Sequence, residues 1–284
     1  MFTVPVLDIK SDPLDALLAV VGYRLSMLAD SDNEDVKALF ADRQVTIEFA
    51  STESDIARTF SFDNGQFSQQ SGHAKEDYAI VEKMLCHDYN LKPVKPVMDS
   101  EPRYENIPKK FKKENGVFSA ADSREIMYQS LLSGACGHTY GCNEIWQMYS
   151  PGFSPVIDAF VPWKEALDFK GAQAVFFARE LFGSIDFTTI QPAPSLLLSG
   201  NTDYKDMAVA ATGKDFALVY LPNGNPVLVN LEKAFQTASV KMCWFNPRNG
   251  EYSNSWNEKV SAKLKVQPPV SGDGTDWLLM IKKQ

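Results

Sequence analysis

Histidine and cysteine are scarce in this sequence. Its 284 residues include three histidines and four cysteines, with no Cys-x-x-Cys, His-x-His or His-Glu-x-x-His spacing. Cys136 and Cys142 have five residues between them, which is a poor spacing for zinc ligands. We therefore expect no metal site and no cofactor, and we expect the cysteines to be buried thiols.

Long apolar runs and targeting signals are missing as well. The most apolar stretch, 17–28, is interrupted by Gly22, Tyr23 and Arg24, whereas a bilayer span needs about 18 apolar residues. The opening MFTVPVLDIKSD has neither a basic start nor a small-residue cleavage site. The sequence thus predicts no membrane association and no export signal.

Basic residues are outnumbered: 28 Lys and Arg face 36 Asp and Glu, for a net charge of −8. The one basic cluster, KKFKK at 109–113, is typical of a solvated turn. Nucleic acid is therefore not an expected partner. What the sequence does contain is an ordinary globular composition with 12% aromatic residues, which suits a ring-binding surface or simply a core.

The first two thirds of the chain alternate between short β patterns and helical patterns. The apolar spacing predicts strands at 3–9, 44–50, 66–71 and 95–99. It predicts helices at 13–29, 76–90 and 123–135, and a helix pair within 163–182. Such alternation is typical of parallel β/α construction, in which functional residues gather where strands end.

After the proline-containing stretch 188–197 the pattern changes to short alternating runs. These lie at 206–212, 215–222, 225–231, 239–247 and 275–283, with NGN and RNG as turn signals. The C-terminal part is therefore predicted to be a small antiparallel β-sandwich.

Polar side chains close each predicted strand, most densely in KPVMDSEPRYEN at 95–106. Strand-end acids or histidines occur at Asp8, Glu48, His73, Asp99 with Glu101, and His138 with Tyr140. Two carboxylates at one sheet edge can perform glycoside hydrolysis, in which one protonates the leaving oxygen and the other attacks or activates water. The alternative, that such acids merely cap helices or pair with arginines, stays open at this point.

Three longer motifs carry a family resemblance: PVKPVMDSEPRYEN, SREIMYQSLLSGACGHTYGCNEIWQMY and PWKEALDFKGAQ. In order and spacing they resemble the apiosidase-like glycoside hydrolases. The tail from FALVYLPNGNPVLVNL to DWLLMI resembles the domain named collagen-binding that follows the catalytic domain in the same family. The resemblance runs from about residue 45 to the end of the chain. It implies the C-terminal part of a (β/α)8 barrel in 1–187, followed by a β-sandwich domain in 192–284.

The resemblance also implies roles for two acids. Glu101, in DSEPRYE, matches the family nucleophile, although Ser100 stands where the family usually has glycine. The family acid/base is an aspartate after the fourth barrel strand, and its nearest equivalent here is Asp8, with Asp12 as a competitor. Both aspartates also fit the description of plain helix caps.

The resemblance also implies residues that bind the substrate. One of them, His138, fits equally well as a core histidine bonded to backbone. Arg103 and Tyr104 are expected to keep the Glu101 carboxylate ionised and oriented. The substrate-side residues are His73, Arg103, Tyr104, His138, Tyr140 and Trp146.

If Asp8 follows barrel strand four, strands one to three are missing. Such a piece would expose two sheet edges, through which it could associate with itself. The leading interpretation is a glycosidase-like protein that cleaves plant or complex polysaccharides with retention, with its activity in doubt. The alternatives are a non-catalytic carbohydrate- or matrix-binding or structural fragment, and a metal hydrolase using His73, Asp99 and His138. Members of the family are typically exported, so the compartment stays open.

Overall fold

The computed structural model describes residues 44–50, 57–63, 66–71, 80–200 and 206–284. The chain forms two compact units, Met1–Asp77 and Tyr78–Gln284. The predicted elements at 3–9 and 13–29 lie outside the described residues.

Three strands form a sheet in the first unit: β1 Gln44–Ala50, β2 Ala57–Asp63 and β3 Gln66–Ser71. The strands predicted at 44–50 and 66–71 are confirmed, but the parallel β/α pairing predicted for this part of the chain is wrong, and β2 was not predicted. β2 lies between them and pairs antiparallel with both. Only Asn64 and Gly65 separate β2 from β3 in sequence, and this dipeptide is the strongest short signal for an antiparallel hairpin.

Five α-helices are described in the second unit. They are α1 Ile80–Asn90, α2 Ala120–Leu132, α3 Asn143–Trp146, α4 Trp163–Ala166 and α5 Lys170–Gly183. The predictions of helices near 76–90 and 123–135 and of a pair within 163–182 are therefore confirmed. α2 begins earlier than predicted because Ser119 forms a capping box with Asp122, whose Oδ2 accepts a 2.7 Å hydrogen bond from the Ser119 amide.

The strand predicted at 95–99 does not form; this part of the chain is irregular and mostly exposed. Pro93 and Pro96 lack the N–H groups that a sheet ladder requires. One strand-like contact survives, a 2.8 Å hydrogen bond from the Cys136 amide to the Val97 carbonyl. The apolar run at 95–99 therefore contacts a neighbouring segment but does not pair with it as a regular strand.

The C-terminal part is antiparallel, as predicted. A six-stranded sheet has the order β4-β5-β6-β11-β8-β9, and a two-stranded sheet pairs β10 with β7. The strand bounds are β4 Gln191–Pro192, β5 Val209–Thr212, β6 Phe216–Leu221, β7 Val227–Val229, β8 Ser239–Phe245, β9 Trp256–Lys259, β10 Leu264–Val266 and β11 Trp277–Lys283. β4, β9 and β10 were not predicted, because two of them are very short and β9 has little apolar character.

The larger sheet is buried on both faces. On one face, Ala217, Val219 and Leu221 join a core that includes residues of β7 and β10. On the other face, Phe216, Leu218 and Tyr220 pack against residues of α2 and α5. All six residues of β6 are consequently buried, which is why this strand reads as a continuous apolar run rather than as an alternating one.

A buried ion pair joins α2 to the sheet. The Arg124 guanidinium donates from Nη2 to Oδ1 of Asp276 at 2.9 Å and from Nε to Oδ2 at 3.0 Å. The Tyr220 hydroxyl donates to the same carboxylate at 3.1 Å, and its ring stacks on Tyr128 with centroids 4.9 Å apart. Charged groups tolerate burial only when paired in this way, so the helices and the sheet meet in one defined arrangement.

The protein is thus a mixed helix and sheet structure with an antiparallel C-terminal sheet. The described strands do not close into a barrel, so the (β/α)8 part of the prediction stays a proposal, as do the domain limits 1–187 and 192–284. No helix in the described part of the chain has the length and apolar character needed to cross a membrane.

Candidate active site

The acidic segment 95–106 runs beside the small-residue segment 136–143. Besides the contact between Val97 and Cys136, the Glu105 amide donates to the Gly141 carbonyl at 2.9 Å, and the Asn143 amide donates to the Glu105 carbonyl at 2.9 Å. Glu105 and Cys142 form an isolated parallel bridge. These two motifs are therefore neighbours, and their backbones pair in parallel at Glu105 and Cys142.

Glu101 is exposed on the irregular loop between these contacts. Its amide donates to Oδ1 of Asp99 at 3.2 Å, so the aspartate side chain forms a local turn that shapes the loop. Ser100 is not among the residues with positive φ. The backbone at this position consequently does not require the glycine that the family usually has there.

Glu105, four residues later, is the acid that sequence reasoning left without a role. It is buried, and its Oε2 accepts hydrogen bonds from the Tyr140 hydroxyl at 2.6 Å and from the Gly171 amide at 3.0 Å. Gly171 is in the first turn of α5, where free amides and the helix dipole favour a carboxylate. The signal that could have found it is a glycine just inside the start of a predicted helix.

Burial and hydrogen bonding act in opposite directions on the pKa of Glu105, whereas both raise the pKa of Tyr140. Burial raises the pKa of Glu105, although the hydrogen bonds from Tyr140 and Gly171 work against that rise. The pKa of Tyr140 lies well above its usual value because of burial and the hydrogen bond to Glu105. The hydrogen of the Tyr140 hydroxyl is thus committed to Glu105 inside the protein, so towards a ligand this hydroxyl can only accept.

Arg103 and Tyr104 contact other groups than the expected Glu101 carboxylate. Arg103 Nη1 lies 3.3 Å from Oε2 of Glu125 on α2, and its guanidinium lies 6.0 Å from the centre of the Phe118 ring. The Tyr104 ring packs directly against Gly141. The structure therefore shows both side chains fastening the acidic segment to its neighbours.

His138 lies opposite Asp99. It is partly buried, and its Nδ1 is fully buried without a hydrogen-bond partner in the described part of the chain. Burial lowers the pKa of His138 to about 4, while the charge of Asp99 works to raise it. The imidazole is neutral at pH 7, and its unpaired buried nitrogen distinguishes it from a core histidine that is fully satisfied by backbone.

Trp146 ends α3 with 49% of its surface exposed. The residue after it, Gln147, holds the following loop: its amide donates to the Asn143 carbonyl at 2.8 Å and to the Val156 carbonyl at 2.9 Å. A half-exposed indole on a fixed loop is suited to stacking on a sugar ring.

Asp8 and His73 lie outside the described residues. Among the residues that the structure describes, no group of three or more His, Cys, Asp or Glu side chains could hold a metal ion. Cys142 is buried and its pKa is raised to about 11 by burial, but Cys136 is exposed, contrary to the expectation of buried thiols.

Two cavities are described, and neither is lined by a predicted site residue. A cavity of about 140 Å³ lies between the ends of α1 and α2 and the strands around β5, where Cys86, Ser133 and Met207 contribute to its wall. The other, of about 240 Å³, is lined by residues that include Lys214, Asp215 and Glu232.

Comparison with known proteins now gives these motifs a family. Residues 33–189 match the family model "Apiosidase-like, catalytic domain", and residues 191–282 match "Putative collagen-binding domain of a collagenase". A search of curated proteins finds no match.

Two solved structures are similar at comparable levels. One, described as a glycoside hydrolase, is 29% identical with a TM-score of 0.66, over 74% of this chain and 46% of its own. The other, a glycoside hydrolase family 5 protein from Bacteroides vulgatus ATCC 8482, is 28% identical with a TM-score of 0.64, over 73% of this chain and 45% of its own.

This chain therefore spans less than half the length of either of these two structures. The resemblance expected from the motifs is confirmed, because the first family model covers more than half of the 284 residues. The chain belongs to the apiosidase-like family of glycoside hydrolase-like proteins.

Proposed function

We propose that this chain contributes to a glycoside hydrolase that cleaves plant or complex polysaccharides with retention of configuration. Glu101 is the nucleophile and Asp8 the acid/base. The observation that carries the proposal is the family match, which includes the whole DSEPRYE segment. A retaining enzyme needs one carboxylate to attack the anomeric carbon and a second to protonate the leaving oxygen.

Two features of the loop support Glu101 as the attacking group. Its side chain is exposed rather than committed to the interior, so it is available to a ligand. Its loop is fixed at both ends, at Val97 and at Glu105, by hydrogen bonds to segment 136–143. A nucleophile gains from being held in place while its carboxylate stays free to react.

The substrate-side roles follow the same segments. His138 and Trp146 offer a neutral imidazole and an exposed indole to a sugar. Arg103, Tyr104 and Tyr140 shape the wall through their contacts with Glu125, Gly141 and Glu105. His73 completes the proposed set of substrate-binding residues.

We assign the residues before the β-sandwich to the C-terminal part of a (β/α)8 barrel. The parallel bridge between Glu105 and Cys142 and the similarity to glycoside hydrolase structures support this assignment. The unpaired edges of such a piece are also where self-association would occur.

The test is hydrolysis of a panel of aryl glycosides by the full chain and by Glu101→Gln. The substitution should reduce the rate by several orders of magnitude, because Gln cannot form the glycosyl ester. A fluorinated glycoside that traps the intermediate should add its mass to the peptide containing Glu101. Glu114→Gln, an exposed acid on the turn Lys113–Asn115, is the matched control and should keep the wild-type rate.

A non-catalytic binding or structural role is the second candidate. The observation that favours it is the match of residues 191–282 to the family model "Putative collagen-binding domain of a collagenase". Sugar binding without hydrolysis by the wild type would establish this second role. Hydrolysis that survives Glu101→Gln would instead show that another group is the nucleophile.

A further inference from the structure

Glu105 is the buried carboxylate at which three segments of the proposed site meet. Its backbone pairs with Gly141 and Asn143 on one neighbouring segment, and its side chain reaches Tyr140 on the same segment and Gly171 at the start of α5. It is 5% exposed, so a ligand does not reach it directly. The proposed mechanism leaves this group unused.

The contacts around this carboxylate leave no space for a side chain at position 171. Both side-chain hydrogen bonds end on the same oxygen, Oε2. A methyl group at Gly171 would collide with that oxygen and would lie 2.9 Å from Cε2 of Tyr140. α5 can therefore approach this closely only because position 171 is glycine, and the carboxylate fills the space that remains.

We propose that Glu105 is the positioning residue of the site: it locks segment 97–105 in register with segment 136–143 and so fixes the loop that carries Glu101. The proposal rests on the function proposed for Glu101. Its physical content is that Glu101 lies between two fixed points, Val97 and Glu105. At the second, the side chain of Glu105 adds hydrogen bonds from Tyr140 and Gly171 to the backbone pairing with Gly141 and Asn143.

Two variants of Glu105 distinguish the need for a hydrogen-bond acceptor from the need for a negative charge. Glu105→Gln keeps a carbonyl oxygen that can accept both hydrogen bonds at the Oε2 position, so hydrolysis should stay close to the wild-type rate. Glu105→Ala removes the acceptor and leaves the Tyr140 hydroxyl and the Gly171 amide unpaired. A displacement of about 1 Å at a reacting group costs on the order of 100-fold, and we expect that loss mainly in kcat rather than in KM.

A second measurement does not depend on activity. Hydrogen exchange of the backbone amides at positions 143 and 171 should accelerate in Glu105→Ala and in Gly171→Ala. It should not accelerate in Glu105→Gln. The control is Leu218→Ala, a fully buried position of β6 in the core between the sheet and the helices. This substitution lowers the stability of the whole unit without touching the contacts of Glu105. When it lowers the free energy of unfolding as much as Glu105→Ala does, the local exchange of these two amides should stay unchanged.

The outcomes are distinct. If Glu105→Gln is as inactive as Glu105→Ala, Glu105 acts through its charge and the positioning role is wrong. If exchange at Asn143 and Gly171 is the same in Glu105→Ala as in the wild type, the lock does not exist. If the wild type hydrolyses nothing, the function proposed for Glu101 fails, and the exchange measurement alone decides whether Glu105 fixes the register.

Discussion

The six-stranded C-terminal sheet and the acidic segment 95–106 are held in place by different means. The sheet has continuous antiparallel ladders and apolar packing on both faces. The acidic segment is irregular, and individual polar contacts fix it, among them Val97 with Cys136, Glu105 with Tyr140, and Arg103 with Glu125.

The difference shows how a fold can keep a reactive group exposed without losing its geometry. In the sheet many small contributions add up, so one substitution removes only a part of them. In the acidic segment each contact is discrete, so one substitution can change the position of the loop with little change in the stability of the whole unit. Three measurements test this difference between the sheet and the acidic segment.

The largest effect is expected at the buried ion pair between α2 and the sheet. Arg124→Ala leaves the Asp276 carboxylate, which is 2% exposed, without its charged partner. Breaking such a pair costs about 3–5 kcal/mol, and the free energy of unfolding measured in urea should fall by that amount.

The matched variant for this prediction replaces both partners with apolar residues, Arg124→Met together with Asp276→Leu. It should recover part of the loss, because no charge is then left buried, while the Tyr220 hydroxyl loses its acceptor. A loss below about 1 kcal/mol in Arg124→Ala would show that the pair does not hold the helices on the sheet.

An intermediate effect is expected in the pH dependence of stability at His138. Its pKa in the folded protein is about 4, below the ordinary value of about 6.5. Between these values the unfolded chain binds more protons, so stability falls as the pH falls from about 6.5 to about 4. With solvent screening allowed for, the contribution is on the order of 1–2 kcal/mol.

The measurement is urea unfolding across this pH range for the wild type and for His138→Gln. The variant should lose less stability on acidification, and His87→Gln, an exposed histidine on α1, controls for the removal of an imidazole. Parallel pH curves for the wild type and His138→Gln would contradict the prediction.

The smallest effect is expected at Arg103 and Glu125, whose side chains retain 16% and 20% of their exposure. Arg103→Gln should reduce the free energy of unfolding by no more than about 1 kcal/mol, because partly solvated pairs contribute little. Arg103→Lys keeps the charge and is the matched variant. A loss of several kcal/mol would mean that the acidic segment is part of the stability core, and the contrast with the sheet would disappear.

Sequence patterns anticipated the regular elements and missed the contacts between them. The short apolar runs at 215–222 and 275–283 were enough to predict β6 and β11, because an apolar run bounded by turn signals indicates a buried strand. The strand at 95–99 was wrong because apolar composition says nothing about missing amides at Pro93 and Pro96. Glu105 was overlooked because its role depends on Gly171, which is 66 residues away in the chain.

The sequence by itself determined the longer helices and most of the antiparallel strands of the second unit, the family, and the position of the acidic motif, since these depend on local periodicity and on motif spacing. The Asn64-Gly65 dipeptide signals the hairpin between β2 and β3, but only the tertiary structure decided that β2 also pairs antiparallel with β1. Only it showed that Arg103 contacts Glu125, and that Glu105 rather than Glu101 is the buried acid. Pairing partners are chosen by long-range packing and desolvation, and neither quantity is encoded in a local window of residues.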